Sequence, residues 1–516
     1  DNLFFKVFRN IVLYTEIQRF KINKKVLFKS KTELVCYDQR EYISAIDIDF
    51  DEDIEQGLIS DNVVEVNFKG YYNKPLNQAI PSSVSKISFY RWFNQPILGG
   101  QLSNITELIF DYNCPFNFPL SGVLPSTIKR LSLPRYFNQV LSVGDLPSSL
   151  TDLTFQGPFS QNPEVIPKNL TILAFNGEVQ NPLVRAHFPD SLTHLIFGTK
   201  CSFNHPITGI IPSFVEKLAF GYGFNQRLNI GDIPDSVVEL SFHTLFNQPL
   251  VGLPQIKKLV IFGQFNQPIL PKQLPESLTE LSFFNCSFDQ PVTGILPSSL
   301  TKLSFGQGFK QILKPGDIPS SVKILDGLNQ IIEPFSLPDS IETLSFGHHF
   351  NHELIENTIP KSVTSLTLSN CFNHEILPGQ LHEGIKELNF NSSEFDHPLP
   401  PSVLPSTLTS LKLGFLFKQK LEHNSIPPSV TELCLGGLFN HSVSHGIIPN
   451  SIKKLEFSHS FNQDLQPGDL HSVQSLQFGY CFNRSLKDVI PSSCTHLGLH
   501  YSFNQKITED LLPNSV

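Results

Sequence analysis

The stretch Leu296-Pro297-Ser298-Ser299-Leu300-Thr301-Lys302-Leu303-Ser304-Phe305-Gly306 decides the fold. Its apolar residues Leu300, Leu303 and Phe305 stand at relative positions 1, 4 and 6, and the Leu-x-Phe part alternates with a period of two. Such alternation puts one face of a short strand in a core, here entered from a Pro-Ser turn and left through Gly. Blocks of this kind recur, each followed by an aromatic anchor. The anchor reads Phe-Asn-Gln at Phe93, Phe137, Phe224, Phe246, Phe265, Phe461 and Phe503, and Phe-Asn at Phe116, Phe203, Phe350, Phe372, Phe439 and Phe482. Degenerate copies at Tyr72, Phe159, Val179, Phe288, Phe309, Leu328, Phe395 and Phe417 complete an unbroken series of 21 anchors spaced 19 to 24 residues apart.

A unit this small cannot bury its own apolar face, so units must stack and pair their strands into one long parallel ladder. The expected architecture is a β-rich repeat solenoid, right-handed and parallel, of about 22 strands. Phe89, Phe110, Leu133, Phe155, Phe175, Phe197, Phe220 and Phe242 should then form one inward column, and the Phe-Asn-Gln phenylalanines a second on the return side. The Asn after each anchor should satisfy backbone groups in a tight turn and bond its equivalent one repeat away.

Phe93-Asn-Gln-Pro-Ile97 and Phe265-Asn-Gln-Pro-Ile269 carry a resemblance. Over residues 63–516 the chain resembles the FNIP repeat family, whose members bear Phe-Asn-x-Pro-Ile/Leu motifs and are themselves similar to leucine-rich repeats. Leu300, Leu303 and Phe305 match the L-x-x-L-x-L pattern of the latter, while the Asn falls later than in a standard leucine-rich repeat. The resemblance implies a repeat scaffold of the kind abundant in social amoebae and giant viruses, with protein interaction as its usual role.

Composition agrees with a repeat core. Of 516 residues 40% are hydrophobic, with 45 Phe, one Trp and no Met. Lys and Arg are scattered singly in a chain of net charge −9, which argues against a nucleic-acid partner. No run approaches the roughly 18 apolar residues of a membrane span, so no membrane partner is expected. Eight cysteines without a C-x-x-C pair read as reduced thiols, and the expected compartment is cytoplasmic, although six N-x-S/T sequons such as Asn104-Ile-Thr106 leave secretion open.

Residues 1–62 are expected to cap the array and 63–516 to form it. Asp1–Phe20 can be drawn as an amphipathic helix, with strand-like runs following at Val26–Phe28, Leu34–Tyr37 and Tyr42–Phe50, the last a degenerate first repeat with Ile43, Ile46 and Ile48 inward. Related repeat proteins often open with a similar Leu-Phe-x-x-Val-Phe-Arg-Asn stretch, and some members of the family carry an F-box. This stretch lacks the Leu-Pro start and spacing of an ordinary F-box, and beside the capping role the resemblance makes Phe4, Phe5, Phe8 and Ile11 a candidate recruiting helix for a ubiquitin ligase. At the other end Leu511–Val516 stops part-way through a block, so the array is expected to continue, to meet a partner, or to associate end to end with a second copy as a structural protein.

Catalysis is not expected. The chain has no nucleophile elbow, P-loop, dinucleotide fingerprint or metal spacing, and no cofactor or metal site follows from it. Asp47, Asp49 and Asp51 alternate with Ile46, Ile48 and Phe50, which describes a strand with its acidic face in water rather than a calcium loop. His205, His352, His374, His397 and His441 replace the Gln after the anchor and read as hydrogen-bonding substitutes for it. The aromatic residues are assigned to the core. What remains is the outward face. The middle residue of each Leu-x-Phe, namely Ser88, Ile109, Ser132, Thr154, Ala174, Ile196, Ala219, Ser241, Val260, Ser282 and Ser304, forms an uncharged stripe. One position before the Leu, Lys86, Glu107, Arg130 and Asp152, and later Lys217, Glu239, Lys258, Glu280 and Lys302, alternate in sign. From Asn389 the stripe turns polar at Lys412, Glu456 and Gln477. A dry stripe edged by paired charges is the candidate surface for a protein partner.

Overall fold

A computed structural model describes residues 25–38, 40–179, 182–390, 393–443 and 446–507, with 513 and 515. It divides into two compact units, Asp1–Ile256 and Lys257–Val516. Among the described residues the first holds eleven strands, from Lys25–Phe28 to Glu239–Phe242, and the second twelve, from Lys258–Gly263 to His496–Gly498. Within each unit successive strands pair in parallel, one coil to the next, as the repeat demands. The helix expected over 1–20, with Phe4, Phe5, Phe8 and Ile11, lies outside the described residues.

Register follows the sequence columns residue for residue. Phe68 pairs with Phe89 and Phe89 with Phe110, and in the second unit Leu281 with Leu303 and Leu303 with Leu325. A slip of one residue would turn every Leu and Phe of a strand outward, so the apolar period enforces this alignment. The core is a double file of rings. Phe89 stacks on Phe93 of its own coil at 3.9 Å between centroids, as do Phe242 on Phe246 and Phe478 on Phe482. Along the first unit the strand-side rings are 5.0 Å apart for Phe68 and Phe89 and 5.4 Å for Phe220 and Phe242, whereas the anchor rings Phe93 and Phe116 are 6.3 Å apart. Successive coils therefore sit closer together on the strand side than on the anchor side.

The secondary structure of the N-terminal region departs from expectation at one place. Leu34–Tyr37 is not a strand; Lys31–Cys36 forms a short helix instead. Ser30 caps it by accepting the Glu33 N–H at 3.1 Å, and the Glu33 carboxylate accepts the Lys29 N–H at 2.7 Å. This Ser-x-x-Glu pattern satisfies backbone donors at the helix start and outweighs the apolar alternation of Leu34 and Val35. Lys25–Phe28 and Ala45–Ile48 are strands in register with each other and with Glu65–Phe68, and Ile43, Ile46 and Ile48 are buried. Among the described residues no helix is long and apolar enough to cross a membrane.

Candidate functional site

The outward face is built by the same register that fills the core. Ser88, Ile109, Ser132, Thr154, Ala174, Ile196, Ala219 and Ser241 are successive partners in the first unit, and Val260, Ser282 and Ser304 in the second. Close coil spacing on the strand side crowds these side chains. Ser132, Ala174 and Ser304 are buried, and the others are half-buried. The stripe is thus drier than an ordinary strand surface. In the second unit its next member is Asp326, which accepts a short hydrogen bond from the Ser304 hydroxyl. Burial pushes the Asp326 carboxyl above its ordinary value despite that bond. Beyond lie Ser345, Thr367, Asn389, Lys412, Cys434, Glu456 and Gln477.

The flanking charges pair across coils. Lys86 reaches Glu107 at 3.1 Å, Arg130 bridges Glu107 at 3.4 Å and Asp152 at 2.8 Å, Lys217 meets Glu239 at 3.1 Å, and Lys258 meets Glu280 at 3.4 Å. Opposite charges directly across neighbouring strands contribute about 0.2–1 kcal/mol each. Their chief effect is to neutralise the border of the stripe.

At the stripe's start the reading of a solvated acidic face fails at Asp47, whereas Asp49 is half-buried and Asp51 exposed. Asp47 is only 5% exposed. Lys69 at 2.5 Å, Lys25 at 3.1 Å and the Asn67 amide at 2.9 Å surround it. Burial would raise its pKa, but those hydrogen bonds outweigh burial and hold the carboxyl below its ordinary value. Asp51 has a different task, accepting the Asn73 N–H at 2.9 Å.

That last bond belongs to the ladder behind the Phe-Asn-Gln motif. Where Asn follows the anchor, its side-chain oxygen commonly accepts the backbone N–H of the equivalent residue one coil later, as Asn73 does from Asn94, Asn204 from Asn225, Asn225 from Asn247 and Asn483 from Asn504, all at 2.9 Å. Asp serves equally where only an acceptor is needed: Asp289 takes the Lys310 N–H at 2.9 Å and Asp396 the Lys418 N–H at 3.0 Å. The following Gln donates its amide to the same oxygen or to the backbone carbonyl, as Gln226 does to Asn204. His374, His397 and His441 place Nε2 at 3.1, 3.0 and 2.7 Å from the carbonyls of Asn351, Asn373 and Lys418, taking the place of Gln.

Two groupings escaped the sequence reading. Aromatic residues are not all inward: Tyr71 and Trp92 are 68% and 50% exposed with rings 5.6 Å apart, and Arg135 lies over Tyr112 and Tyr136. In the second unit His348, His349 and Cys371 bring their ligand atoms within 4.8 Å of one another. Aligning coils by their anchors would have placed His348 and His349 against Cys371, since both pairs of positions immediately precede Phe350 and Phe372. The buried thiols offer no nucleophile, because burial pushes Cys114 up to about 12 and Cys201 and Cys286 to about 11.

Comparison with known proteins follows the same lines. The FNIP Repeat family model matches residues 93–136, 116–158, 159–200, 203–244, 246–286, 288–326, 329–371, 372–416, 395–438, 439–481 and 482–516. An FNIP repeat-containing protein of Dictyostelium discoideum is 29% identical over 375 residues, 60% of this chain and 63% of that protein, so the chain spans less than two thirds of the curated relative it matches. Among solved structures, CroV588, described as a novel circular LRR protein, is similar with a TM-score of 0.65 and 33% identity over 92% of this chain and 75% of that one. The TLR13–ssRNA13 complex is similar in fold, with a TM-score of 0.57 and 15% identity over 94% of this chain and 85% of that one.

Proposed function

The chain belongs to the FNIP repeat family, and from that premise we propose that it is a non-enzymatic interaction scaffold which holds another protein against the outward face of its strand ladder. One observation carries the reading: the uncharged column from Ser88 to Ser241 is in unbroken register and bordered, at Lys86 to Asp152 and again at Lys217 and Glu239, by charges that neutralise one another. A partner settling on this face displaces little tightly held water and leaves no charge unpaired, which favours extended apolar and backbone-polar contact. The matching column from Val260 to Ser304 ends at the half-buried carboxyl of Asp326, so the contact surface ends there too. Cation–π contacts and exposed rings around Trp92 and Tyr136 supply anchors of the type that dominates protein interfaces.

The test is affinity capture from the native source, comparing the intact chain, the Ser241→Arg variant and a chain lacking residues 1–62. A partner retained by the truncated chain and lost by Ser241→Arg supports the stripe. A partner lost on truncation but kept by Ser241→Arg overturns it in favour of an adaptor recruited through residues 1–62. Elongation of the purified chain with concentration, without any captured partner, would make self-assembly the role.

A further inference from the structure

We propose that His348, His349 and Cys371 constitute a zinc site with three protein ligands and one exchangeable position. The three side chains come from two neighbouring coils and offer two imidazole nitrogens and one sulfur, all within 4.8 Å of one another. Cys371 Sγ lies 3.9 Å from His348 Nδ1, and the rings of His348 and His349 are 4.7 Å apart. Zinc bonds of about 2.0–2.1 Å to nitrogen and 2.3 Å to sulfur in a tetrahedron place ligand atoms about 3.3–3.6 Å from each other. The existing spread, within 4.8 Å, exceeds this by about 1.5 Å at most, a gap closed by side-chain rotation of two exposed imidazoles.

The backbone beneath them is already fixed. Cys371 donates its N–H to the His348 carbonyl at 3.2 Å, and His349 donates its N–H to Asn329 Oδ1 at 2.9 Å. These bonds do not require the side chains that sit on them, because Ser460 makes the corresponding bond to Gly437 at 3.0 Å. Three metal-ligating residues at one step are therefore not imposed by the fold. The donor set is borderline to soft, which suits zinc and disfavours magnesium and calcium, both of which seek oxygen.

His349 also lines a cleft of about 990 Å3 shared with Gln307, Lys310, Asn329, Gln330 and His352. Because one of the three ligands, His349, lines this cleft, a bound zinc would take its fourth ligand, water or a small anion, from solvent. On binding, the sulfur–hydrogen bond of Cys371 is replaced by a sulfur–zinc bond and one proton goes to solvent, so affinity rises with pH.

The full chain, freed of metal with a chelator, is titrated with Co²⁺ as a spectroscopic substitute and then with Zn²⁺. The expected result is one equivalent of cobalt with a thiolate-to-metal charge-transfer band, displaced by zinc. Cys371→Ser should remove the band and leave circular dichroism unchanged. His349→Ala should weaken binding more than the about 10- to 100-fold typical of losing an outer-shell partner, and His352→Ala should not alter the thiolate band. Absence of a one-equivalent thiolate band in the native chain overturns the proposal. So does a band that persists in Cys371→Ser, because the metal is then held by another cysteine.

Discussion

Replacing Asn225 by Ala isolates what the Asn ladder contributes. Asn225 Oδ1 accepts the Asn247 N–H at 2.9 Å and the Gln248 side-chain amide at 3.2 Å, while the residue's own N–H bonds to Asn204 and survives the change. Alanine thus strands one half-buried backbone donor and one side-chain donor. Leaving such a donor without its partner costs about 1–3 kcal/mol; partial access to water at Asn247 places the expectation at about 1–2 kcal/mol. Global unfolding is a poor gauge in a long repeat array, where cooperativity breaks down, so the assay is amide hydrogen exchange at Asn247. At about 1.4 kcal/mol per factor of ten, its protection should fall about 5- to 30-fold in Asn225→Ala. Asn225→Asp should keep most of the protection, as Asp289 and Asp396 hold equivalent acceptors natively. Unchanged exchange in the alanine variant would refute the reasoning, and an aspartate as damaging as alanine would show that the amide hydrogens, not the oxygen, matter.

Charge reversal at Glu239→Lys should lower thermal stability by up to about 1 kcal/mol by opposing Lys217, and Lys217→Glu added to it should restore the loss at low salt; no recovery would mean the pair is decorative. The depressed Asp47 carboxyl contributes stability that is present above the ordinary value of 3.8 and is lost as pH falls through its lower folded value. Asp47→Asn should therefore flatten acid unfolding of the N-terminal strands in that window, as read by hydrogen exchange. Asp326 has the opposite sign, since its folded pKa is raised: its burden is absent below 3.8 and grows as pH rises through the folded value. Asp326→Asn should accordingly stabilise the second unit at neutral pH and lose that advantage in acid, which a melting series against pH would detect.

The strand columns, the twin files of rings and the charge ladder were legible because they repeat: each copy tests the register of its neighbours, and Leu303 or Phe305 is read many times over. What was lost is what occurs once. Ser30 and Glu33 form a helix start in four residues, too local for an apolar alternation count to register. Asp47 looked solvated because its own strand alternates, yet its burial comes from Lys25 and Lys69 on the coils either side, at a distance of about one repeat in sequence. His348, His349 and Cys371 likewise belong to different copies and carry no conventional metal spacing. The role of Asn was anticipated in kind but not in direction: its oxygen serves the next coil's backbone, which explains why Asp substitutes and why Gln and His follow.

That directional bond also governs how such an array can change length. A coil such as that of Asn225 hands forward the same acceptor that it receives from behind, so a duplicate of it arrives with both halves of its joint and needs no compensating substitution in its neighbours. Coils of this kind are interchangeable parts with respect to the ladder, and inserting or deleting one of them preserves the joints on either side, whereas the coils of Lys310 and Lys418 receive a side-chain acceptor and pass none on. The Asp47 cluster and the His348–Cys371 step lack that freedom, because each draws unlike residues from adjacent coils. A coil copied into either place would separate the members, so length variation should accumulate elsewhere in the array and leave those two joints fixed.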